Sequence, residues 1–271
     1  MRKPIPVTFK SKNANIHAIL YQPAGIELLP TVILCPGFPG NNTDVLGLGQ
    51  RFMEEGFNAL VFNYRGTWGS EGTYTAANSL EDVIAAIHFV KSRTAVREFN
   101  IDLSRIALAG YSMGGGMALI GSLSDPDIKR IVTIAGGNLG EAARMIGEDA
   151  ELKRALEEGM DHDISVSGLK AKSAKEFSAE ILANVDKFDL TKHAQELSRK
   201  DILIICGWQD QVADIEHHIL PFIRSLQKYG AKEVQIEAFD ADHSFMNVRS
   251  QLAERIVTWL RRTPPCAIEC P

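Results

Sequence analysis

Three residues have side chains that could cooperate in acyl transfer: a serine hydroxyl, an imidazole and a carboxylate. Ser112 lies in Gly110-Tyr-Ser-Met-Gly114, a G-x-S-x-G pentapeptide. That pattern suits a sharp strand-to-helix turn that lifts a hydroxyl clear of the backbone. The flanking glycines leave room for a strained serine, because they bring no Cβ into the turn. A helix starting under Ser112 would point its positive end at nearby negative charge. Alone, the pentapeptide fits an inert small-residue turn as well. A serine becomes a nucleophile only beside a base, and the base needs an acid to orient it.

In the elbow arrangement the partners follow in the order Ser, Asp or Glu, His. Of the seven histidines, His17 and His88 fall inside expected strand and helix. His162 and His193 lie in a helical insertion, and His217 and His218 in a polar helix start; all of these read as packing or surface residues. His243 stands apart, in a loop just after the last expected strand, where a rigid sheet presents functional groups. Asp210 occupies the equivalent place after Ile202–Cys206, with Asp214 as a second candidate one turn later. Asp240 and Asp242 adjoin His243 in sequence, but their directions are not set by it. The competing role for Asp210 is an N-cap for the next helix. Ser112, Asp210 and His243 all fall at C-terminal ends of expected strands in the required order, and this makes a triad the preferred reading. Acyl transfer also needs donors for the developing oxyanion. The N–H of Met113 is one, and that of Phe38, in Cys35-Pro-Gly-Phe-Pro-Gly40, is the other; Pro39 has no N–H to give. Phe38, Trp68, Tyr111, Met113 and Trp208 are candidate pocket walls, with ordinary core packing an equal alternative for the tryptophans.

The elements needed to hold these residues are legible. Ile5–Lys10 and Ile16–Tyr21 alternate like an antiparallel edge pair. Short apolar runs follow at Thr31–Cys35, Phe57–Asn63, Ile106–Ala109, Ile131–Ala135 and Ile202–Cys206, and Val234–Phe239 alternates toward a strand. Helical segments separate them at Val45–Gly56, Leu80–Val90, Met113–Leu123 and Ile215–Tyr229, and Gln251–Leu260 ends the series. The alternation implies an α/β fold: a mostly parallel sheet of eight strands with helices on both faces. Residues 138–200 break the pattern, with helical periodicity on both sides of Gly168. A helical cap is favoured over an extra layer at the sheet edge, because the insertion follows a strand whose C-terminal end faces the expected site. One domain over residues 1–263 is expected, with 264–271 as a flexible tail.

Bulk properties narrow the class. The chain has 271 residues, 45% of them hydrophobic, and a net charge of −5, which gives no reason to expect nucleic acid as a partner. No apolar run reaches membrane-spanning length, and the basic start lacks an apolar secretion segment, so a cytoplasmic protein is expected. Cys35 and Cys206 end apolar strands and read as buried thiols; Cys266 and Cys270 in the tail are weak evidence for a metal, with a disulfide left open. Oligomeric state is also open, a homodimer included.

With these residues assembled, the chain resembles the α/β-hydrolase superfamily over nearly its whole length, and more narrowly serine esterases near the dienelactone-hydrolase and prolyl-oligopeptidase catalytic domains. The likeness rests on Pro36–Gly40, on Asn63-Tyr-Arg-Gly-Thr-Trp-Gly-Ser-Glu-Gly72, on the elbow, and on Gly207-Trp-Gln-Asp-Gln-Val212 with Asp242-His-Ser-Phe245. Pro36 departs from the pattern, since His often stands there. The resemblance implies ester hydrolysis through an acyl-enzyme without metal or organic cofactor. It assigns Ser112 as nucleophile, His243 as base, Asp210 as orienter, Phe38 and Met113 N–H as oxyanion donors, and Arg65 with Gly66 as shapers of the floor. A small peptidase or amidase and a thioesterase are the enzymatic alternatives; a non-catalytic binding protein is the alternative from another class. An Asp-dependent dehalogenase is disfavoured by the serine.

Overall fold

The computed structural model describes residues 3–40 and 43–262. The expected tail, with Cys266 and Cys270, lies outside the described residues. Strands β1 (Ile5–Ser11) and β2 (Ala14–Tyr21) form the antiparallel edge pair. They are followed by β3 (Leu29–Cys35), α1 (Leu48–Glu54), β4 (Asn58–Phe62), α2 (Ala76–Val90), α3 (Arg93–Glu98), β5 (Ile101–Tyr111) and α4 (Met113–Gly121). Then come β6 (Arg130–Ile134), α5 (Leu139–Glu148), α6 (Ala150–Ser167), α7 (Ala174–Ala183), α8 (Val185–Phe188) and α9 (Ala194–Leu197). The chain continues with β7 (Asp201–Gly207), α10 (Leu220–Lys228), β8 (Val234–Phe239) and α11 (Arg249–Arg261).

All eight strands join one sheet in the order β1-β2-β4-β3-β5-β6-β7-β8, parallel from β4 to β8. The inner parallel strands are apolar on both sides because both sides are covered, whereas the edge strand β8 alternates and is part-exposed. Ile33, Leu60, Leu108, Ile131, Ile202 and Ile204 pack beneath α2, α4 and α10. Val32, Leu34, Val61, Ala109, Val132, Leu203 and Ile205 face α1 and α11.

Where expected and observed boundaries differ, a specific contact explains it. The helix expected from Val45 starts at Leu48: Asp44 accepts the N–H groups of Val45, Gly49 and Gln50, and Leu46 and Gly47 take positive φ. Helix α2 begins four residues ahead of Leu80, capped by Thr75 and by the carboxylate of Glu180, which accepts the N–H groups of Ala76 and Ala77. The helix expected over 215–229 splits into a π-turn, Ile215–Ile219, and α10. Pro221 has no N–H to extend the α-helical ladder backwards, and the wider turn absorbs the break. Polar α3 carried no apolar stripe and was not expected.

The insertion is helical on both sides of Gly168, which ends α6 in the left-handed conformation. It leaves the C-terminal end of β6 at Asn138, the N-cap of α5. Lys170 pairs with the loop after β4, donating to Gly66 and accepting from Tyr74. Glu180 of α7 adds a second polar contact, to the start of α2.

Candidate active site

Ser112 is the hinge between β5 and α4, at φ 54° and ψ −128°. A non-glycine residue there carries strain of about 1–3 kcal/mol, which the surroundings must hold in place. Three hydrogen bonds do so: Ser112 N–H donates to Ile134, and its carbonyl accepts from Gly115 and Gly137. The turn is also too tight for side chains at its ends. A Cβ on Gly110 would lie 2.1 Å from the Gly114 carbonyl oxygen, and one on Gly114 would lie 2.3 Å from the carbonyl oxygens of both Cys35 and Pro36.

Asp210 and His243 converge on this hinge from the loops after β7 and β8. His243 Nε2 is 3.0 Å from Ser112 Oγ, and its Nδ1 is 2.8 Å from Asp210 Oδ2. The other oxygen of Asp210 accepts the N–H groups of Val212 and Ala213 at 2.8 and 2.9 Å. Burial alone would raise the Asp210 pKa; the hydrogen bond from His243 and the two backbone donors outweigh it and hold the carboxyl below its ordinary value. The alternative assignments go elsewhere. Asp214 caps the π-turn, Asp240 accepts from Gln209, and Asp242 binds Ser244. Asp210 is therefore not the cap of the following helix. Tyr111 donates its hydroxyl to the His243 backbone carbonyl at 2.9 Å.

The loop after β3 lies against the serine: a Cβ on Gly37 would be 3.0 Å from Ser112 Cβ. Pro36, in the position where relatives of the resembled group often have His, offers its carbonyl to the hydroxyl of Tyr64 at 3.1 Å, which fixes the loop from below. Among the described residues no acceptor meets the N–H of Phe38 or of Met113, so both remain able to serve a ligand. Arg65 is turned toward α2, bonding Asp82 and Glu81 and the carbonyl of Asn78; it braces the loop after β4 beneath the site.

A groove of about 360 Å³ runs beside the hinge, lined by Pro36, Gly37, Phe38, Tyr111 and Arg249 among others. Tyr111 and Phe38 thus line open space. Trp68 and Trp208 do not line this groove. Trp208 is 66% exposed beside Asp210, and the Trp68 indole nitrogen lies near Gly40. A larger cavity, about 660 Å³, opens at the opposite end of the sheet among Thr31, Arg105, Arg130 and Arg261. Sheets of this kind bind ligands outside the carboxyl ends of their strands, so the groove and not the larger cavity belongs with the triad residues. Sequence reasoning missed Tyr74, whose ring joins the side chains of Phe38 and Met113; only the fold brings those together.

Over 135 residues the chain is 30% identical to the quorum-quenching protein AidA of Acinetobacter baumannii, covering 48% of this chain and 43% of that one. Over 123 residues it is 26% identical to Cutinase 1 of Thermobifida cellulosilytica, covering 45% of each. The chain thus spans less than half the length of these curated relatives. Among solved structures, an esterase of Pyrococcus furiosus superposes with a TM-score of 0.73 at 18% identity, over 96% of this chain and 91% of that one, which shows an α/β-hydrolase fold. The model of the BD-FAE family matches residues 38–202, from the expected oxyanion residue through Ser112 to the second residue of β7, short of Asp210 and His243. With more than half its length matched in this way, the chain belongs to the BD-FAE family.

Proposed function

We propose that the chain is a serine carboxylesterase that hydrolyses small to medium esters through an acyl-enzyme. The observation that carries this reading is the unbroken line Ser112 Oγ–His243–Asp210, with contacts of 3.0 and 2.8 Å. In the first half-reaction Ser112 Oγ attacks the ester carbonyl carbon while its proton passes to His243 Nε2. Asp210, held ionised by its own hydrogen bonds, keeps the Nδ1 proton directed to itself and stabilises the imidazolium. Negative charge on the former carbonyl oxygen is met by the free N–H groups of Phe38 and Met113, a stabilisation of about 3–4 kcal/mol per donor in comparable sites. The tetrahedral intermediate collapses, the carbon–alkoxy bond breaks, and the imidazolium proton leaves with the alcohol. Water then repeats the sequence from the same face, with His243 again as base, and releases the acid and free Ser112.

The groove beside Tyr111 would hold one half of the ester. Its volume falls at the low end of small-molecule sites, which suits a small or medium substrate. The insertion would act as a cap from the side of the loop after β4. The cutinase relative supports an ester as the substrate, whereas no observation in the site favours a peptide or thioester. The test is a p-nitrophenyl ester panel of graded acyl length with Ser112→Ala as control. Turnover by the parent chain, lost at least 10³-fold in the folded variant, is expected, in line with the cost of removing a triad nucleophile. Unchanged turnover in the variant would sink the proposal.

A further inference from the structure

The side chains of Phe38 and Met113 meet on one ring, that of Tyr74. Phe38 packs against it with ring centroids 5.6 Å apart, and the Tyr74 hydroxyl donates to the Met113 sulfur at 3.0 Å. Tyr74 is buried, and burial pushes its phenol well above the ordinary value, so the hydroxyl stays a donor. Phe177 of α7 stacks on the same ring at 5.9 Å and 10° and reaches Phe38 as well at 6.4 Å, so the three rings form one cluster. Two sets of contacts fix the geometry of that stack. Lys170 pairs with the backbone of Gly66 and Tyr74, and Glu180, one turn along α7 from Phe177, caps α2 just after Tyr74. The insertion thus reaches the oxyanion residues through this aromatic pair and is fastened to the same loop by polar contacts.

We propose that Tyr74 and Phe177 are positioning residues for the oxyanion hole, through which the insertion sets the placement of the Phe38 and Met113 N–H groups. The proposal rests on the esterase reading above. Oxyanion donors work within a narrow window, about 2.7–3.1 Å from the oxygen they serve. Phe38 is a loop residue whose backbone is held on one side by Tyr64 through Pro36. On the other side its ring rests on Tyr74 and Phe177. Emptying the Phe177 position removes the surface against which Tyr74 and Phe38 are pressed, so the loop gains freedom while Ser112, His243 and Asp210 keep their contacts.

The experiment compares Phe177→Ala, Phe177→Leu, Tyr74→Phe and, as a control on α6, the exposed Val166→Ala. Rates are expressed per fluorophosphonate-titratable serine, so unfolded protein does not count. For Phe177→Ala, kcat on p-nitrophenyl acetate should fall about 10- to 100-fold, the range for a slightly misplaced group, with KM within about twofold. The affinity for a trifluoromethyl ketone, whose hemiketal oxygen occupies the hole, should weaken by the same factor, and the pH profile of kcat should keep its midpoint. Phe177→Leu should restore part of the loss, Tyr74→Phe should show a smaller loss, and Val166→Ala none. Phe177→Ala with unchanged kcat and ketone affinity, or with a change in KM or acyl-chain preference alone, would make Phe177 a pocket wall and overturn the proposal. If Phe177→Ala does not fold, wild-type kcat and ketone affinity in both Phe177→Leu and Tyr74→Phe overturn it equally. A parent chain whose Ser112 neither turns over esters nor takes the fluorophosphonate overturns the esterase reading itself, and this one with it.

Discussion

Asp210→Asn offers a sharp test of the triad, because the structure decides which way the new amide must face. One oxygen of Asp210 takes the N–H groups of Val212 and Ala213, and the other faces His243 Nδ1. The side chain is fully buried, so neither end can turn to water. An asparagine carbonyl in place of Oδ1 keeps both backbone bonds. The flipped amide would set its NH₂ against two backbone donors and lose both, at about 1–3 kcal/mol each. A total of about 2–6 kcal/mol favours the first orientation by roughly 30-fold or more. The NH₂ then points at Nδ1, which must become an acceptor, and the ring proton moves to Nε2, opposite Ser112 Oγ. A protonated Nε2 cannot take the serine proton. In a triad that suffers this tautomer reversal, kcat falls by about 10⁴ with the geometry intact. We therefore expect a loss of about 10³–10⁴ in kcat on p-nitrophenyl acetate, an unchanged far-ultraviolet circular dichroism spectrum and slow fluorophosphonate labelling. A folded Asp210→Asn that keeps kcat within tenfold of the parent would refute the reasoning, since among the described residues no other carboxylate is hydrogen-bonded to His243.

Two further perturbations probe what supports the site. Gly114→Ala places a methyl 2.3 Å from two backbone carbonyls that cannot rotate away, and the displaced segment leads directly to Phe38. It should cost about 1–3 kcal/mol, seen as a drop of roughly 2–10 °C in the calorimetric midpoint, with kcat reduced more than KM changes; a midpoint and kcat that both stay put would contradict the close approach. His218 is buried and accepts the Asn138 N–H at Nδ1, at the start of the insertion. Burial lowers its pKa from 6.5 despite Asp214, Glu141 and Asp210 nearby, with His217 acting in the same direction as burial. The unfolded chain takes up a proton that the folded one refuses, so this contribution is complete above pH 6.5 and is lost as the pH falls below it. His218→Asn, whose carbonyl stands where Nδ1 accepts, should flatten the decline in thermal midpoint between about pH 7 and pH 5; an unaltered slope would assign that decline to other groups.

The inner parallel strands could be read from sequence because each is buried on both faces and so is written as an apolar run, as in Ile202–Cys206. Ser112, Asp210 and His243 were legible for a related reason: each stands within a few residues of the C-terminal end of a strand, where the sheet sets position before side chains matter. Boundaries were less legible where the partner is distant. The start of α2 depends on Glu180, 104 residues beyond Ala76, and no local pattern announces that. Asp214 could not be separated from Asp210 by type or spacing; the separation comes from the Asp214 contact with the His217 N–H, three residues on. Trp68 and Trp208 were candidate walls on residue type alone, and type does not say whether an indole faces a groove or solvent. Tyr74 and Phe177 lie 103 residues apart and acquire meaning only when the insertion folds back onto the loop after β4.

The strand order gives a reason why the site needs such ties. After β3 the chain turns to β4 on one side, and β5 lies on the other, so the loops leaving β3 and β5 diverge and open a crevice between them. Ser112 and the Phe38 loop border that crevice directly. Asp210 and His243 follow β7 and β8, two and three strands beyond β5, and their loops must reach back across β6 and β7. A reach of that length tolerates sway unless its end is fastened. The Tyr111 hydroxyl, one residue before Ser112, holds the backbone carbonyl of His243 itself, and its ring lies 5.1 Å from the imidazole. The elbow therefore positions the proposed base: the strained turn that raises Ser112 also carries the side chain that holds the His243 backbone. Among the described residues the proposed oxyanion loop has no side-chain hydroxyl tie to β5; it rests on the close approaches of Gly114 to the Cys35 and Pro36 carbonyls and of Gly37 to Ser112, and on the Tyr74 link to Met113. That difference places the mechanical weak point of the site at Phe38, on the side where the insertion presses.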